Sequence, residues 1–463
     1  MNLSCLRRFD ESRSNRSRPW ITVVLACSLV SIACGKDKTD GIGPAEGWDN
    51  LPVATPGADD WPWWRGPTLN NVARADQTPP VLQWGEDKNI LWRVSLAGKG
   101  HGTPCIWGNR IFLASGDKTR QTISLICLNR QTGKQLWSKQ VYSGKLPKIH
   151  RDNSYASGSV ACDGQHVFFA YQTPDSIRTV ALSLAGEPVW DQEVAKYQTV
   201  QGHSTSPVIY KSVVIVSADC KGAAKLVALH RRTGKLVWLA NREGAKESYG
   251  SPIVVKVAGR DQLLIIGPDH TRSYDPNTGK FLWICRGPAE YCGATVAFDK
   301  DKVYSTGGYP EKALLAIRAD GKGDVTKTHL KWKSDRKAGY VPSPLQAGGL
   351  IYAVSDKGLM RCYRANSGKV AWEHNLKRAF YSSPVLVGDR IYVFDRNKGS
   401  GFVMQAGAKF KLLAENKLQK GAFATPVIVG GRIYLRTLGD LYCIGKKQET
   451  KPAAPATGKG SKP

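Results

Sequence analysis

Short apolar runs separated by polar turn residues recur along most of the chain. The segments SPVLVGDRIYVF from Ser383 and TPVIVGGRIYLR from Thr425 each hold two such runs on either side of a turn. Runs of this length that are rich in Val, Ile and Tyr and alternate with a period of two are typical of half-buried strands. The pattern therefore predicts an all-β fold built from short strands.

A tryptophan motif gives the strands a repeat. The motif places a glycine, usually after Thr or Ser, four residues before a tryptophan, and successive tryptophans are 40 to 53 residues apart. The glycine readily takes a positive φ in a tight hairpin, and the indole is large enough to wedge between neighbouring sheets. Clear copies end at Trp137, Trp190, Trp238, Trp283 and Trp372; weaker copies end at Trp92 and Trp332, and KFKLLAEN near Leu412 occupies the next place without a tryptophan.

A second motif alternates with the first and occurs eight times. It begins with a small hydroxyl residue, usually followed by proline, and continues as an apolar strand, a turn and a second apolar strand. Four strands and one signature aromatic residue in each unit are typical of a propeller blade. We therefore predict an eight-bladed β-propeller of four-stranded antiparallel blades. The copies begin at Thr103, Ser159, Thr205, Ser251, Thr295, Ser343, Ser383 and Thr425.

The order of the motifs predicts how the ring closes. The first tryptophan strand, around Trp92, precedes every copy of the second motif, whereas the last unit, ending at Gly445, has no tryptophan strand after it. The N-terminal strand is therefore expected to complete the last blade, with Trp92 beside Tyr442. This pairing leaves no open sheet edge.

The two ends of the chain have a different composition from the repeats. Residues 1–34 resemble a signal peptide, with an arginine-rich start and an apolar stretch that is too short for a membrane span. Ser31-Ile32-Ala33-Cys34 resembles a lipoprotein cleavage box, which makes Cys34 the candidate lipidation site; Cys27 is a competing site, and secretion without a lipid is the alternative. We expect a flexible linker over residues 35–60, the propeller over 61–445 and a disordered basic tail over 446–463.

Charge and cysteine content limit the classes of partner and site. The formal net charge is +28, and the lysines are spread over all the repeats. For an exported chain this charge favours acidic envelope polymers or lipid headgroups over nucleic acid. The eleven cysteines show no metal-binding spacing. Eight would remain after signal removal and acylation; most suit buried thiols, and Cys285 with Cys292 is the best candidate disulfide.

The repeats resemble the pyrroloquinoline-quinone (PQQ) type of propeller repeat. Quinoprotein alcohol dehydrogenases share this repeat with the outer-membrane assembly lipoprotein BamB. The segment WPWWRGPTLNNVA from Trp61, the following Trp84 and the block GHGTPCIWGNRIF further resemble a group of exported bacterial PQQ-like propellers. The resemblance covers roughly residues 61–445 and implies the fold more specifically than the chemistry.

The resemblance leaves an enzymatic alternative, a PQQ- and calcium-dependent dehydrogenase. Enzymes of that class have adjacent cysteines on the quinone, a catalytic aspartate and Glu, Asn or Asp metal ligands. Candidate oxygen ligands here are Asp152, Asn153, Glu247 and Glu290, but the chain has no adjacent cysteines and no CxxCH haem motif. We therefore predict no catalytic residues, no metal site and no cofactor, with PQQ and calcium not expected.

The favoured hypothesis is a non-catalytic, monomeric interaction platform that resembles BamB. An aromatic residue or histidine stands shortly before each copy of the second motif, so all eight are expected at one mouth of the central channel, where they either bind an envelope protein or peptide or fill the channel. We expect a lipid-anchored protein of the periplasm, with the outer membrane favoured, or a secreted one. The eight residues are His101, Tyr155, His203, Tyr249, Tyr291, Tyr340, Tyr381 and Phe423.

Overall fold

The computed structural model describes residues 51–199, 201–220, 223–242, 247–335 and 338–447. All regular structure in these residues is β-strand. No helix in this part of the chain is long and apolar enough to span a membrane. The expected signal peptide, with Cys27 and Cys34, and residues 448–463 of the expected tail lie outside the described residues.

The strands form eight sheets, which we number as blades 1 to 8. The first strand of the chain is β1 (Ile90–Ser95). Blades 1 to 4 are then formed in chain order by β2 (Cys105–Trp107), β3 (Arg110–Asp117), β4 (Thr122–Asn129) and β5 (Gln135–Ser143); β6 (Ala161–Cys162), β7 (His166–Gln172), β8 (Ser176–Ser183) and β9 (Pro188–Lys196); β10 (Val208–Tyr210), β11 (Val213–Cys220), β12 (Ala223–His230) and β13 (Leu236–Asn241); and β14 (Ile253–Val257), β15 (Arg260–Gly267), β16 (His270–Tyr274) and β17 (Phe281–Arg286).

Blades 5 to 8 follow the same plan. The segment that forms blade 5 also contains a two-residue strand, β21 (Gly323–Asp324), which leaves that blade, pairs in parallel with β17 and so adds a fifth strand to blade 4. The remaining strands are β18 (Ala297–Phe298), β19 (Lys302–Gly307), β20 (Ala313–Arg318), β21 (Gly323–Asp324) and β22 (Leu330–Ser334); β23 (Leu345–Ala347), β24 (Leu350–Val354), β25 (Leu359–Arg364) and β26 (Val370–Asn375); β27 (Val385–Val387), β28 (Arg390–Phe394), β29 (Ser400–Gln405) and β30 (Leu412–Lys417); and β31 (Val427–Val429), β32 (Arg432–Arg436) and β33 (Asp440–Ile444), which blade 8 combines with β1.

The tryptophans pack as wedges between neighbouring blades, as the sequence predicted. Each of five indoles lies against the motif glycine of the next blade, where an added Cβ would be only 2.6–2.8 Å from the ring. These glycines have φ values between 68° and 90°, a region that side chains disfavour. The glycine and the tryptophan of the motif therefore recur together because one blade supplies the ring and the next supplies the space. The pairs are Trp92 with Gly133, Trp137 with Gly186, Trp190 with Gly234, Trp238 with Gly279 and Trp332 with Gly368.

The N-terminal strand closes the ring, and this prediction is also confirmed. Strand β1 pairs antiparallel with β33, with Trp92 opposite Cys443 and Arg93 opposite Tyr442. The Arg93 guanidinium lies 5.0 Å from the centre of the Tyr442 ring and donates a hydrogen bond of 3.1 Å to Asp440. Both ends of the domain are thus joined in one sheet.

Two expectations from the sequence are corrected. The predicted linker, residues 35–60, already packs on the blades from Leu51 onward, because Leu51 N–H donates to Ser212 Oγ at 2.8 Å and Pro52 C=O accepts from Arg231 at 2.6 Å. The candidate disulfide does not form. All eight cysteines among the described residues are buried free thiols, and the Cys292 sulfur instead contacts the Ala289 carbonyl.

Candidate functional site

A belt of hydroxyl groups surrounds the central channel. The first residue of each copy of the second motif, which we now call the inner-strand motif because it begins the innermost strand of a blade, is buried. In six places a backbone N–H at this level donates to a hydroxyl of the next blade; in blade 3 the residue that takes part is Ser206, next to Thr205. The two remaining junctions use a threonine hydroxyl that donates to a carbonyl, Thr295 to Ser251 at 3.2 Å and Thr103 to Thr425 at 3.1 Å. The six N–H bonds run from Thr103 to Ser159, Ser159 to Ser206, Ser206 to Ser251, Thr295 to Ser343, Ser343 to Ser383 and Ser383 to Thr425, at 2.8–3.0 Å.

Replacing one belt hydroxyl is expected to weaken the ring measurably. In Ser343→Ala the buried N–H of Thr295 loses its acceptor, now 2.9 Å away, which should lower the free energy of unfolding by about 1–3 kcal/mol. Urea unfolding followed by tryptophan fluorescence measures the change. The control is Ser138→Ala on the exposed face of β5, expected within about 0.5 kcal/mol of wild type. Equal effects of the two variants would contradict a structural role for the belt.

The chain segment before β1 crosses the channel. We call residues 60–80 the crossing segment. It contacts the inner strands, the residues just before or after them, or the neighbouring second strand in blades 1, 2, 5, 6, 7 and 8. The contacts are Trp61 with Ile106, Pro62 with Cys162, Trp64 with Thr295, Arg65 with Pro344, Asn70 with Phe298, Val72 with Leu386, Gln77 with Gly430 and Pro80 with Tyr392.

Buried polar anchors hold the crossing segment in place. The Trp64 indole N–H reaches the belt and donates to Thr295 Oγ1 at 2.9 Å. The Arg65 guanidinium is fully buried and donates to the carbonyls of Leu69 and Pro344, each at 2.8 Å. Burial lowers the pKa of Arg65 to about 9. The residues that precede the inner strands line the same channel as Trp64.

The end of the channel at these residues, which we call the mouth, is lined by aromatic rings. His101 and Phe423 stack with ring centres 4.5 Å apart, and Tyr381 meets Phe423 edge-on at 5.3 Å. Tyr249 and Tyr340 line the same channel cavity, whose volume is about 320 Å³. Burial, with a contribution from the Arg436 charge, lowers the pKa of His101 to about 3, so its imidazole is neutral at pH 7.

A loop from blade 1 reaches over the mouth. Residues 144–160 join β5 to β6 and carry Asp152, which accepts hydrogen bonds from the Tyr381 hydroxyl at 3.4 Å and from Arg396 of blade 7 at 3.3 Å. The Arg396 guanidinium also lies 4.3 Å from the centre of the Tyr381 ring. This cluster connects the loop between blades 1 and 2 with blade 7 across the mouth.

A larger cleft opens beside the mouth and shares Tyr340 and Tyr381 with it. Its volume is about 1260 Å³. Loops at the mouth end of blades 4 to 7 supply most of its walls. These loops carry exposed lysines and Tyr309, which is 61% exposed. The mouth and the cleft together form one continuous, water-accessible face with aromatic and cationic side chains.

The eight predicted mouth residues do not form the regular ring that their spacing suggested. His101, Tyr249, Tyr340, Tyr381 and Phe423 line the channel, and Tyr291 lines the adjoining cleft. Tyr155 instead packs on Gly116 of blade 1. His203 is turned into its blade, where its Nε2 contacts Thr205 Oγ1 at 2.8 Å. The spacing fixed where each backbone lies, but local packing decided where the last two side chains point.

Several residues of this face were not found from the sequence. Trp64, Arg396, Gln201 and the belt hydroxyls all line the channel or the cleft. The belt alone had a usable signal, since a Ser or Thr opens all eight inner-strand motifs. Trp64 and Arg396 lie outside any shared repeat position, so their placement depends on contacts between distant parts of the chain.

The four candidate oxygen ligands are divided between the two cavities: Asp152 and Asn153 line the channel, whereas Glu247 and Glu290 line the adjoining cleft. Asp152 is bonded to Arg396 and Tyr381, Asn153 Oδ1 accepts from Ser154 N–H at 2.8 Å, and Glu247 accepts from the Tyr249 hydroxyl. Within the described ranges, no three or more His, Cys, Asp or Glu side chains converge as a metal site. That the chain binds no quinone remains a prediction.

Comparison with known proteins adds relatives to this geometry. A family model described as outer membrane protein assembly factor BamB matches residues 66–258 and 268–451. A polyvinylalcohol dehydrogenase from a Pseudomonas species is 23% identical over 59% of this chain and 56% of its own length. A BamB protein from Shewanella oneidensis is 25% identical over 43% of this chain and 46% of its own. The chain thus spans about half the length of these two relatives.

The fold also matches a solved structure. The crystal structure of BamB from Moraxella catarrhalis superposes with a TM-score of 0.57 and 16% sequence identity, covering 77% of this chain and 99% of that one. At this identity the match concerns the fold alone.

Proposed function

Because the chain belongs to the family of the outer membrane protein assembly factor BamB, we propose that it is a non-catalytic interaction platform of the bacterial cell envelope. In this proposal a protein or peptide partner docks on the mouth, and the crossing segment serves as the floor of the site. The propeller would be held at a membrane, with the outer membrane favoured, through a lipid on Cys34.

One observation carries the proposal: a buried segment crosses the channel, where Trp64 contacts Thr295, and aromatic rings line the same channel. Aromatic side chains supply large contact area at low cost in conformational entropy and dominate the hot spots of protein interfaces. The ring pairs at Phe423 are already fixed by stacking on His101 and contact with Tyr381. Such a preorganised surface loses little entropy when a partner binds.

The match to a polyvinylalcohol dehydrogenase favours oxidation as the second candidate function. The placement of the candidate ligands argues against it, because Asp152 and Asn153 line the channel whereas Glu247 and Glu290 line the cleft. Reduction of a redox dye by an alcohol, after PQQ and Ca²⁺ are added to the protein, would contradict the non-catalytic proposal.

Removing two aromatic rings from the mouth is expected to weaken partner capture. The double variant Tyr381→Ala, Phe423→Ala removes two rings that face the channel, and it should weaken binding of the captured partner at least tenfold, since interface hot spots cost about 2 kcal/mol or more. Immobilised protein is exposed to solubilised envelope proteins, captured partners are identified by mass spectrometry, and their affinity is remeasured with purified components.

The control is the double variant Leu136→Ala, Leu236→Ala. These leucines are 49% and 42% exposed on outer strands, away from the channel, and their loss should leave capture unchanged. The proposal fails if both double variants capture the same proteins with wild-type affinity, or if both lose them equally while remaining folded.

A further inference from the structure

The cleft beside the mouth is too large for an ordinary small-molecule site. Its volume of about 1260 Å³ exceeds the ~300–1,000 Å³ typical of pockets for small ligands. It is also open to water along blades 4 to 7, so it can accept a segment of a longer chain whose ends continue into solvent.

One wall of the cleft is aromatic. Tyr291, Tyr309, Tyr340 and Tyr381 all line it. The rings of Tyr291 and Tyr309 have centres 6.1 Å apart and planes inclined by 51°. Tyr309 is 61% exposed, the highest value among the exposed large apolar side chains of the described residues. Its ring is therefore available to stack on a ligand.

The other wall is cationic. Lys357, Lys377 and Lys398 are exposed there, and none of the three ammonium groups has an ion-pair partner within the described ranges. Arg378 and Arg396, by contrast, each contact a carboxylate, Glu415 at 3.4 Å and Asp152 at 3.3 Å. The three ammonium groups are thus free to contact an anion that enters the cleft.

Four carboxylates also line the cleft, Glu247, Glu290, Asp356 and Asp395. Glu247 accepts a hydrogen bond from the Tyr249 hydroxyl, and Asp356 pairs with the Lys312 ammonium at 3.4 Å. Asp395 accepts hydrogen bonds from the N–H groups of Asn397, Lys398 and Ser400. Asp356 accepts from the N–H groups of Tyr340 and Val341 at 2.9 and 3.1 Å. Both acids hold the loops that position the lysines and tyrosines.

We propose that this cleft binds an anionic oligosaccharide, such as a segment of an acidic envelope polysaccharide. The carboxylate or phosphate groups of the ligand lie on Lys357, Lys377 and Lys398, and the sugar rings stack with their C–H faces on Tyr309 and Tyr291. The cleft shares Tyr340 and Tyr381 with the mouth, but the contacts proposed for the oligosaccharide use neither ring.

The unpaired cations of the cleft, within the described residues, are lysines, and this favours a polyanion over a protein partner. Lysine is depleted in protein–protein interfaces, whereas arginine is enriched. A lysine ammonium is a compact point charge on a flexible stem, which suits repeated charges of variable spacing better than one fixed ion pair. An aromatic face beside the cations adds the contact that an uncharged part of a sugar ring needs.

Charge reversal in the cleft tests the proposal. The triple variant Lys357→Glu, Lys377→Glu, Lys398→Glu should bind a uronic-acid oligosaccharide at least about 100-fold more weakly than wild type, because three favourable charges become repulsive. Tyr309→Ala should weaken binding about fivefold with its charge unchanged. Isothermal titration at low ionic strength measures both, and binding should weaken as salt is added.

The matched control is Lys134→Glu, Lys235→Glu, Lys280→Glu. These lysines occupy the exposed hairpins that carry the tryptophan motif, so the variant has the same net charge as the cleft variant and should bind the oligosaccharide like wild type. Equal losses in the two triple variants would overturn the proposal, because binding would then follow net charge alone.

Three further ligands identify the source of the interaction. A phosphorylated lipopolysaccharide core oligosaccharide distinguishes phosphate from carboxylate recognition, and binding of either with lysine dependence supports the proposal. A neutral dextran oligosaccharide should not bind. Tight binding of a polyglutamate peptide that is insensitive to Tyr309→Ala would overturn the proposal in favour of an acidic peptide. Partner capture by the cleft variant shows separately whether the mouth still functions.

Discussion

A chain that begins at Leu96, and so lacks both the crossing segment and β1, is expected to lose its cooperative unfolding transition. Without β1, the five-residue ladder from Ile90 opposite Ile444 to Ser95 opposite Asp440 is lost. Strand β33, now wholly buried, becomes an open edge that can pair with other chains. Calorimetry and far-ultraviolet circular dichroism should show broad, early melting with aggregation.

Two longer chains separate the effect of closure from the effect of truncation. A chain that begins at Leu51 keeps every described contact and should melt like the full-length protein. A chain that begins at Val81 keeps β1 but lacks the crossing segment, so the ring should still close and melt cooperatively, though at a lower temperature. If the chain beginning at Leu96 melts as sharply as the one beginning at Leu51, the pairing of β1 with β33 in blade 8 does not hold the ring together.

The closed ring was predictable because its determinants are local and repeated. Gly133, four residues before Trp137, and Gly186, against which the Trp137 indole packs, occupy equivalent places in successive units. One repeated motif therefore encodes both halves of each blade junction. The surplus tryptophan strand at Trp92 and the missing one after Gly445 then left one way to complete the last blade. Counting motifs sufficed for this step.

The functional face was only partly predictable, because it depends on contacts that are not repeated. The crossing segment has no periodic pattern, and Trp64 reaches Thr295 from a position 231 residues earlier in the chain. Asp152 and Arg396 are 244 residues apart and meet because the loop between blades 1 and 2 reaches blade 7 at the mouth. Tyr155 and His203 follow the predicted spacing, yet Tyr155 packs on Gly116 and His203 contacts Thr205. Neither side chain lines the channel. Such side-chain directions depend on the assembled ring.

The buried ion pair between Arg231 and Asp163 is expected to be a major polar support of the fold. The side chains are 2% and 0% exposed and join blades 2 and 3, and Arg231 also donates to the carbonyls of Pro52 and Lys211. Replacing Arg231 with Met leaves a buried carboxylate without its cation, which should lower the free energy of unfolding by about 3–5 kcal/mol. Urea unfolding at pH 7 measures this loss. The control is Arg178→Met in the partly exposed pair with Asp191, for which we expect a loss below about 1 kcal/mol.

The pH dependence of stability gives a second, independent measurement of the same pair. Burial alone would raise the pKa of Asp163, but hydrogen bonds from His166, Gln165 and Arg231 outweigh it and lower the pKa from 3.8 to about 2. Because the folded state holds the carboxylate ionised, this contribution is complete above pH 4 and disappears as the pH falls toward 2. The stability difference between wild type and Arg231→Met should therefore be largest at neutral pH and shrink between pH 4 and 2. A difference that stays constant over this range would mean that Arg231 acts through packing and its two carbonyl bonds, with no contribution from the charge of Asp163.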